Sequence, residues 1–405
     1  MGTITRAIGI AAVLVGSARA AAADVVTDWI DRAVAVVYRS DAPTPLRTRN
    51  VALVAIAMFD ALNAITPRYT PYRAQPATPA GASPDAAAAA AAHYLLIRLY
   101  PAEAARLDAA FQGELAAMPE SAHKADGIVV GERAAARLLE ERSGDGSAAP
   151  NTYRPVTTAG SYVPTTFPLE PAWGSVKPFA LQAGNQFRPG PPYALGSAQW
   201  ATDYNEVKRL GALTGSQRTP EQTTIARFWE FGGPGTYMPV ARGVVMAKRL
   251  GQLESARIYA LAAMTGADAL IAVFDAKYTY GFWRPVTAIR NGDRDGNDAT
   301  ERDSTWEPFI ATPMHPEYPC AHCITQSSVA TVLAAVVGDT VPFTLSSPSA
   351  PGVTRSFSRL SDYAAEVVNA RVYDGVHYRT SGNVGAAMGR QIGAYIAGNL
   401  LTPLR

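Results

Sequence analysis

Apolar positions along the chain recur at steps of three and four. Val51, Val54, Met58, Leu62 and Ile65 form one such stripe, the spacing of an amphipathic helix with one buried face. The same spacing predicts helices over Pro84–Leu99, Ala102–Met118, Ala125–Glu141, Ser197–Leu213, Pro220–Phe231 and Val240–Gln252. It continues through Glu254–Asp275, His322–Val337, Ser358–Tyr373 and Val384–Leu400. Strict alternation with hairpin turns is scarce. The run Ala86–Ala92 leads straight into His93-Tyr94-Leu95-Leu96, so it reads as helix rather than as a disordered tract. Between Gly144 and Pro192 the composition shifts to Pro, Gly, Ser, Thr and aromatics, predicting a long irregular connection of the kind that is often functional. Shorter loops are expected at Gly232–Gly235, Asn291–Ser304 and Ser346–Gly352, and no internal repeat is evident. The expectation is an all-α helical bundle in one large domain, residues 21–405.

Composition narrows the setting. The 405 residues are 48% hydrophobic and 17% charged, enough for a large core. A formal net charge of +2, with no basic block, argues against nucleic acid or a membrane surface as partner. At the amino terminus Arg6, the apolar run Ala7–Val15 and Ala18-Arg19-Ala20 read as a secretory signal ending at residue 20, with a second cleavage option after residue 23. Further on, the longest apolar stretch, Tyr259–Phe274, is interrupted by Thr265 and Asp268, so no integral membrane span is expected. The mature chain is therefore expected to be periplasmic or secreted, where an isolated cysteine pair tends to be oxidised. Self-association is left open.

Three stretches carry candidate chemistry. In DAKYTYGFWRPVTAIR a helix ending near Lys277 would let Arg284 reach back, and two converging cations suit a tetrahedral oxyanion. A solvated surface pair is the alternative. In HPEYPCAHCITQ the prolines break structure, which puts Cys320, Ala321 and His322 at a helix start. Free amides and the helix dipole favour an anion there. A capped helix with an incidental histidine reads equally well. In NARVYDGVHYRTSGN, Arg371 and His377 flank a helix end marked by Gly375, where a favourable Arg is common in any case.

Taken together these give Lys-x6-Arg-Pro, Pro-x-x-His and Arg-x5-His, in that order. The chain thereby resembles the superfamily that joins vanadium-dependent haloperoxidases to type 2 phosphatidic-acid phosphatases and soluble bacterial acid phosphatases, whose signature reads KxxxxxxRP, PSGH and SRxxxxxHxxxD. LRTRNVALVAIAMFDALNAITPRYTPY, SAQWATDYNEVKRLGA and EQTTIARFWEF look like the amino-terminal half of its soluble bacterial haloperoxidase-like branch. The resemblance implies a helical bundle with the anion in its core, within residues 240–400. It implies that Lys277, Arg284 and Arg371, with amides around Ala321, hold vanadate or phosphate. His377 would be the vanadate ligand of a peroxidase or the nucleophile of a phosphatase, and His322 the acid/base.

The chain departs from the signature at several points. Cys320-Ala321 stands where Ser-Gly is usual, Ala370 precedes Arg371, and Ser381 replaces an aspartate that could orient the histidine. A thiol is a weak donor to an anion, and a disulfide sulfur donates nothing. A thioredoxin-like role for Cys320 and Cys323 is disfavoured by their place late in an all-α chain. Zinc lacks a second pair of ligands. They are read as a disulfide or two buried thiols framing the anion site, and a free thiol there would be open to oxidation by peroxide. His315 occupies a position where haloperoxidases vary with halide preference, and histidine resembles the bromide-oxidising type. A loop histidine between prolines is the plain alternative. Asp293–Asp298 reads as an acidic turn, since its glycine comes too early for an EF-hand. The acid that orients His377 is left open among Asp374, Glu317 and a distant residue. The expected function is vanadate-dependent halide oxidation by peroxide acting on small molecules. Phosphomonoester hydrolysis through a phosphohistidine on His377 is one alternative, and non-catalytic phosphate or vanadate binding a second.

Overall fold

The computed structural model describes residues 24–164 and 166–404; the expected signal segment lies outside them. Thirteen α-helices and one β-hairpin occur among the described residues. The amino-terminal half contains α1 (Val25–Arg39), α2 (Thr44–Ile65), α3 (Pro84–Leu99), α4 (Ala104–Ala117) and α5 (Ala122–Glu141). After the long connection come α6 (Ala198–Leu210), α7 (Pro220–Phe228), α8 (Pro234–Lys248), α9 (Gln252–Tyr280) and α10 (Pro285–Arg290). The chain closes with α11 (Ala321–Val337), β1 (Thr340–Ser347), β2 (Ala350–Arg359), α12 (Leu360–Tyr373) and α13 (Arg379–Asn399).

Local chemistry sets many of the helix starts. Asp24, Ser83, Ser121 and Ser197 each accept a first-turn amide, and Thr219 with Gln222 forms a capping box ahead of α7. The core is built on α9, which packs against α2 on one side and α11 on another. Helices α11 and α13 pack closely because α13 offers glycine where they cross. A Cβ at Gly389 would lie 2.4 Å from the Ile324 carbonyl oxygen. By length and composition alone α2 and α9 could each cross a membrane. Their most apolar stretches are 89% and 94% buried within the bundle.

Asp268, fully buried on α9, accepts the amides of Phe179, Ala180 and Leu181 at 2.7, 2.7 and 2.8 Å. Asp145 is bound by Arg49 and Arg142 at 2.7 and 2.9 Å. These two carboxylates fasten the irregular 144–192 segment onto the helices. The acid that interrupts the apolar run is thus a clamp for a loop.

The clearest departure from the expected elements is the hairpin. Val341, Phe343, Leu345 and Ser347 are buried in alternation along β1, and Phe343 pairs with Phe357 on β2. The turn, residues 348–349, falls inside the expected loop Ser346–Gly352, the rest of which is strand, and α12 begins at Leu360 rather than Ser358. Pro342 breaks the strand signature in the sequence, although the structure tolerates it in a two-stranded sheet. Helices α1 and α10 were not expected, and α8 starts at Pro234, inside the expected loop Gly232–Gly235.

Candidate anion site in the bundle core

Helix α9 ends at Tyr280 on a left-handed Gly281, and the turn that follows carries Arg284 back toward Lys277. Lys277 is completely buried and donates to the carbonyls of Pro316 and Glu317 at 2.8 and 2.7 Å. Those two bonds hold the second motif against the first. Arg284 donates Nε to the His315 carbonyl at 2.9 Å and an Nη1 hydrogen to Val376 at 2.8 Å, spanning the second and third motifs. Its other contacts are His377 Nε2 at 3.3 Å and His315 Nδ1 at 2.9 Å. A guanidinium only donates, so both ring nitrogens act as acceptors. The 3.1 Å approach of His315 Nδ1 to the Pro316 carbonyl is then a contact without a shared proton.

Cys320 is the N-cap of α11, and its sulfur faces the Cys323 amide at 3.2 Å. The two cysteines form a disulfide across the first turn. The amides of Ala321 and His322 occupy N1 and N2, where no intrahelical acceptor exists. His322 is half-buried, and its buried Nε2 has no partner among the described residues. Arg371, on the last turn of α12, reaches the Trp229 carbonyl at 3.1 Å and Asp374 at 2.6 Å. Its buried Nε is likewise unpartnered. Gly375, at φ +78°, turns the chain so that His377 points inward just before α13.

Four of the expected site residues share a cavity, with Arg284 bonded to two of them, His315 and His377. Ala321, His322, His315 and His377 line one cavity of about 290 Å³, whose remaining wall includes Leu270, Phe274, Met314, Thr325, Gln326 and Glu230. His315 packs against Phe274 with ring centres 5.3 Å apart. Larger hollows of about 830 and 990 Å³ lie along α11–α13 and beside α6, and hold none of these groups.

Electrostatics leaves the site short of negative charge. Burial, then the neighbouring Arg284, pushes Lys277 well below its usual range, and burial brings Arg284 down to about 10. Burial and the surrounding cations hold His315, His322 and His377 well below the ordinary imidazole range. Burial raises Glu317 to about 7 against the pull of Lys277 and Arg284, and Asp374 to about 7 against Arg371. A multiply charged oxyanion would relieve the cation repulsion and occupy the orphaned Arg371 Nε, His322 Nε2 and helix amides. The residues therefore fit vanadate or phosphate.

Of the acids left open, Glu317 is the one that contacts His377. His377 Nδ1 lies 2.7 Å from Glu317 Oε1, while Asp374 is spent on Arg371. Trp229 and Gly232 escaped the sequence reading. A Cβ at Gly232 would sit 2.9 Å from His322 Nε2, so only glycine leaves this histidine its position.

The helical bundle is similar in fold to the bacterial vanadium haloperoxidases. Residues 257–403, which carry all three motifs, match the family model of the VCPO second helical-bundle domain. A curated relative, the vanadium chloroperoxidase of Curvularia inaequalis, is 25% identical over 181 residues. That match covers 36% of this chain and 29% of the relative, less than a third of its length. Among solved structures, the first bacterial vanadium-dependent iodoperoxidase superposes with a TM-score of 0.81 at 24% identity, covering 94% of this chain and 98% of that one. A holo-type bacterial vanadium-dependent chloroperoxidase gives 0.72 at 18% identity, covering 88% and 91%. The whole described chain thus shares the haloperoxidase fold, as the resemblance implied.

Proposed function

We propose that the protein is a vanadate-dependent haloperoxidase, which oxidises a halide, bromide by preference, with hydrogen peroxide. The overall reaction balances as halide, peroxide and one proton giving hypohalous acid and water. Lys277, Arg284 and Arg371 would hold the oxyanion with the Ala321 and His322 amides, and His377 Nε2 would ligate it. Bound vanadate supplies the activation of peroxide toward attack by halide. The protein's part is to neutralise charge, exclude water and deliver the proton. His322 lines the cavity, and its buried Nε2, which has no partner among the described residues, is placed to deliver that proton.

One observation carries this reading: three buried cations and two orphaned donors surround a histidine held with its Nε2 as an acceptor. The disulfide supports it further, because no free thiol is left beside peroxide. It also supports the inference of a periplasmic or secreted setting. The preference for bromide rests on His315, which lines the cavity beside Phe274. Bromination of a dione and hydrolysis of nitrophenyl phosphate, assayed in parallel with and without vanadate, test the proposal. Hydrolysis that vanadate inhibits would replace it with a phosphatase acting through His377. Vanadate binding with neither activity would leave an oxyanion-binding protein.

A further inference from the structure

Glu317 stands at the junction of all three motifs. Its amide donates to the Phe282 carbonyl at 2.9 Å, beside Arg284, and its own carbonyl accepts from Lys277 at 2.7 Å. With the backbone pinned at both ends, the carboxylate has little freedom to swing. Oε1 accepts from His377 Nδ1 at 2.7 Å and from the Tyr378 amide at 3.1 Å, so one oxygen fixes both the ring and the backbone beside it. On the other side of the ring, Arg284 donates toward Nε2 at 3.3 Å. A neutral imidazole has one donor and one acceptor nitrogen. The two contacts agree only when the proton is on Nδ1.

The remaining oxygen explains where an orienting acid could otherwise stand. Glu317 Oε2 and Ser381 Oγ are both buried and both lack a hydrogen-bond partner of good geometry, and they line the same small hollow beside Asp203. Ser381 nevertheless faces the Glu317 carboxyl closely enough to favour its charged form. It lies four residues beyond His377, on the first turn of α13. An acid on that turn and an acid at 317 would compete for one place.

We propose that Glu317 is the positioning residue for His377: by accepting the Nδ1 proton it fixes one tautomer and one ring orientation, presenting an unprotonated Nε2 to a tetrahedral oxyanion. The inference rests on the oxyanion reading above and deepens it. A carboxylate-to-imidazole hydrogen bond behind a metal-ligating histidine is a general device for raising ligand basicity, and losing such a bond typically lowers affinity about 10- to 100-fold.

The test uses the full chain with ¹⁵N-labelled histidine, His377 being assigned by its loss in His377→Gln. In the wild-type protein His377 should show the neutral Nδ1–H form. In Glu317→Gln, whose amide can turn to donate to Nδ1, the Nε2–H form should appear, and vanadate affinity should fall about 10- to 100-fold. The exchange variant Glu317→Ala with Ser381→Asp should regain the Nδ1–H form and most of the lost affinity. Glu317→Asp serves if the glutamine variant does not fold. An unchanged tautomer in Glu317→Gln overturns the proposal, and so does a changed tautomer with unchanged affinity. Failure of the wild-type chain to bind vanadate would overturn the oxyanion reading instead, and the tautomer comparison would still decide the role of Glu317.

Discussion

His322 stands so close to Gly232 that the smallest side chain at position 232 would meet Nε2 at 2.9 Å. The helix start places His322, and the loop after α7 leaves room for it. Gly232→Ala should displace the imidazole by a few tenths of an ångström or more. The turnover rate should then fall about 10- to 100-fold, as small misplacements of a proton donor do. Vanadate affinity should change much less, because the cations and His377 are untouched. Steady-state kinetics beside a vanadate titration checks this. Equal losses in both would mean that His322 binds the anion rather than moving a proton.

The disulfide at the helix start gives up a donor. Cys320→Ser combined with Cys323→Ala puts a hydroxyl at the N-cap, and a hydrogen bond to a charged group contributes about 1.5–3 kcal/mol. Vanadate or phosphate should bind about tenfold tighter or better, read by calorimetry against the parent. Unchanged affinity would mean the hydroxyl is kept by the Cys323-position amide, as the sulfur is now.

At the cavity wall, His315 Nδ1 takes one hydrogen of Arg284. His315→Phe releases that hydrogen toward the anion and removes a polar edge from the cavity. The ratio of chloride to bromide oxidation should rise, measured with both halides at matched concentration. A ratio that stays the same would detach His315 from halide choice.

Stability should depend on pH through the remote clamps. Burial raises Asp268 to about 6, and Asp60 on α2, which accepts the Tyr72 and Arg73 amides at 2.8 Å, to about 7, both from an ordinary 3.8. The folded chain therefore holds protons that the unfolded chain releases between about pH 4 and 7. The stability linked to these groups is fully present below pH 4 and is lost as pH rises toward 7. In Asp268→Asn, urea unfolding should show a shallower decline across that window. Asp268→Ala should cost about 3 kcal/mol or more, since it leaves two buried amides and one half-buried amide unsatisfied at about 1–3 kcal/mol per buried group. An Asp268→Ala chain as stable as its parent would refute the clamp.

Much of this arrangement was legible because periodicity is a local signal. The stripes around Val51–Ile65 and Glu254–Asp275 appear as α2 and α9, and Lys277, Arg284, His322, Arg371 and His377 stand at the helix ends that their neighbours Gly281, Pro319 and Gly375 mark. The hairpin was hidden because Pro342 interrupts a strand only eight residues long. The purpose of Asp268 was hidden because its partners lie about ninety residues away in an irregular segment. Glu317 could be named only as one of several acids. Its bond to His377 spans 60 residues, and no local spacing encodes it.

The most direct measurement is vanadate-dependent bromination by the purified protein beside its His377→Ala variant. The account predicts bromination that requires vanadate and vanishes in the variant, while hydrolysis of nitrophenyl phosphate stays at background. Vanadate-inhibited hydrolysis, or bromination that survives the loss of His377, would contradict it.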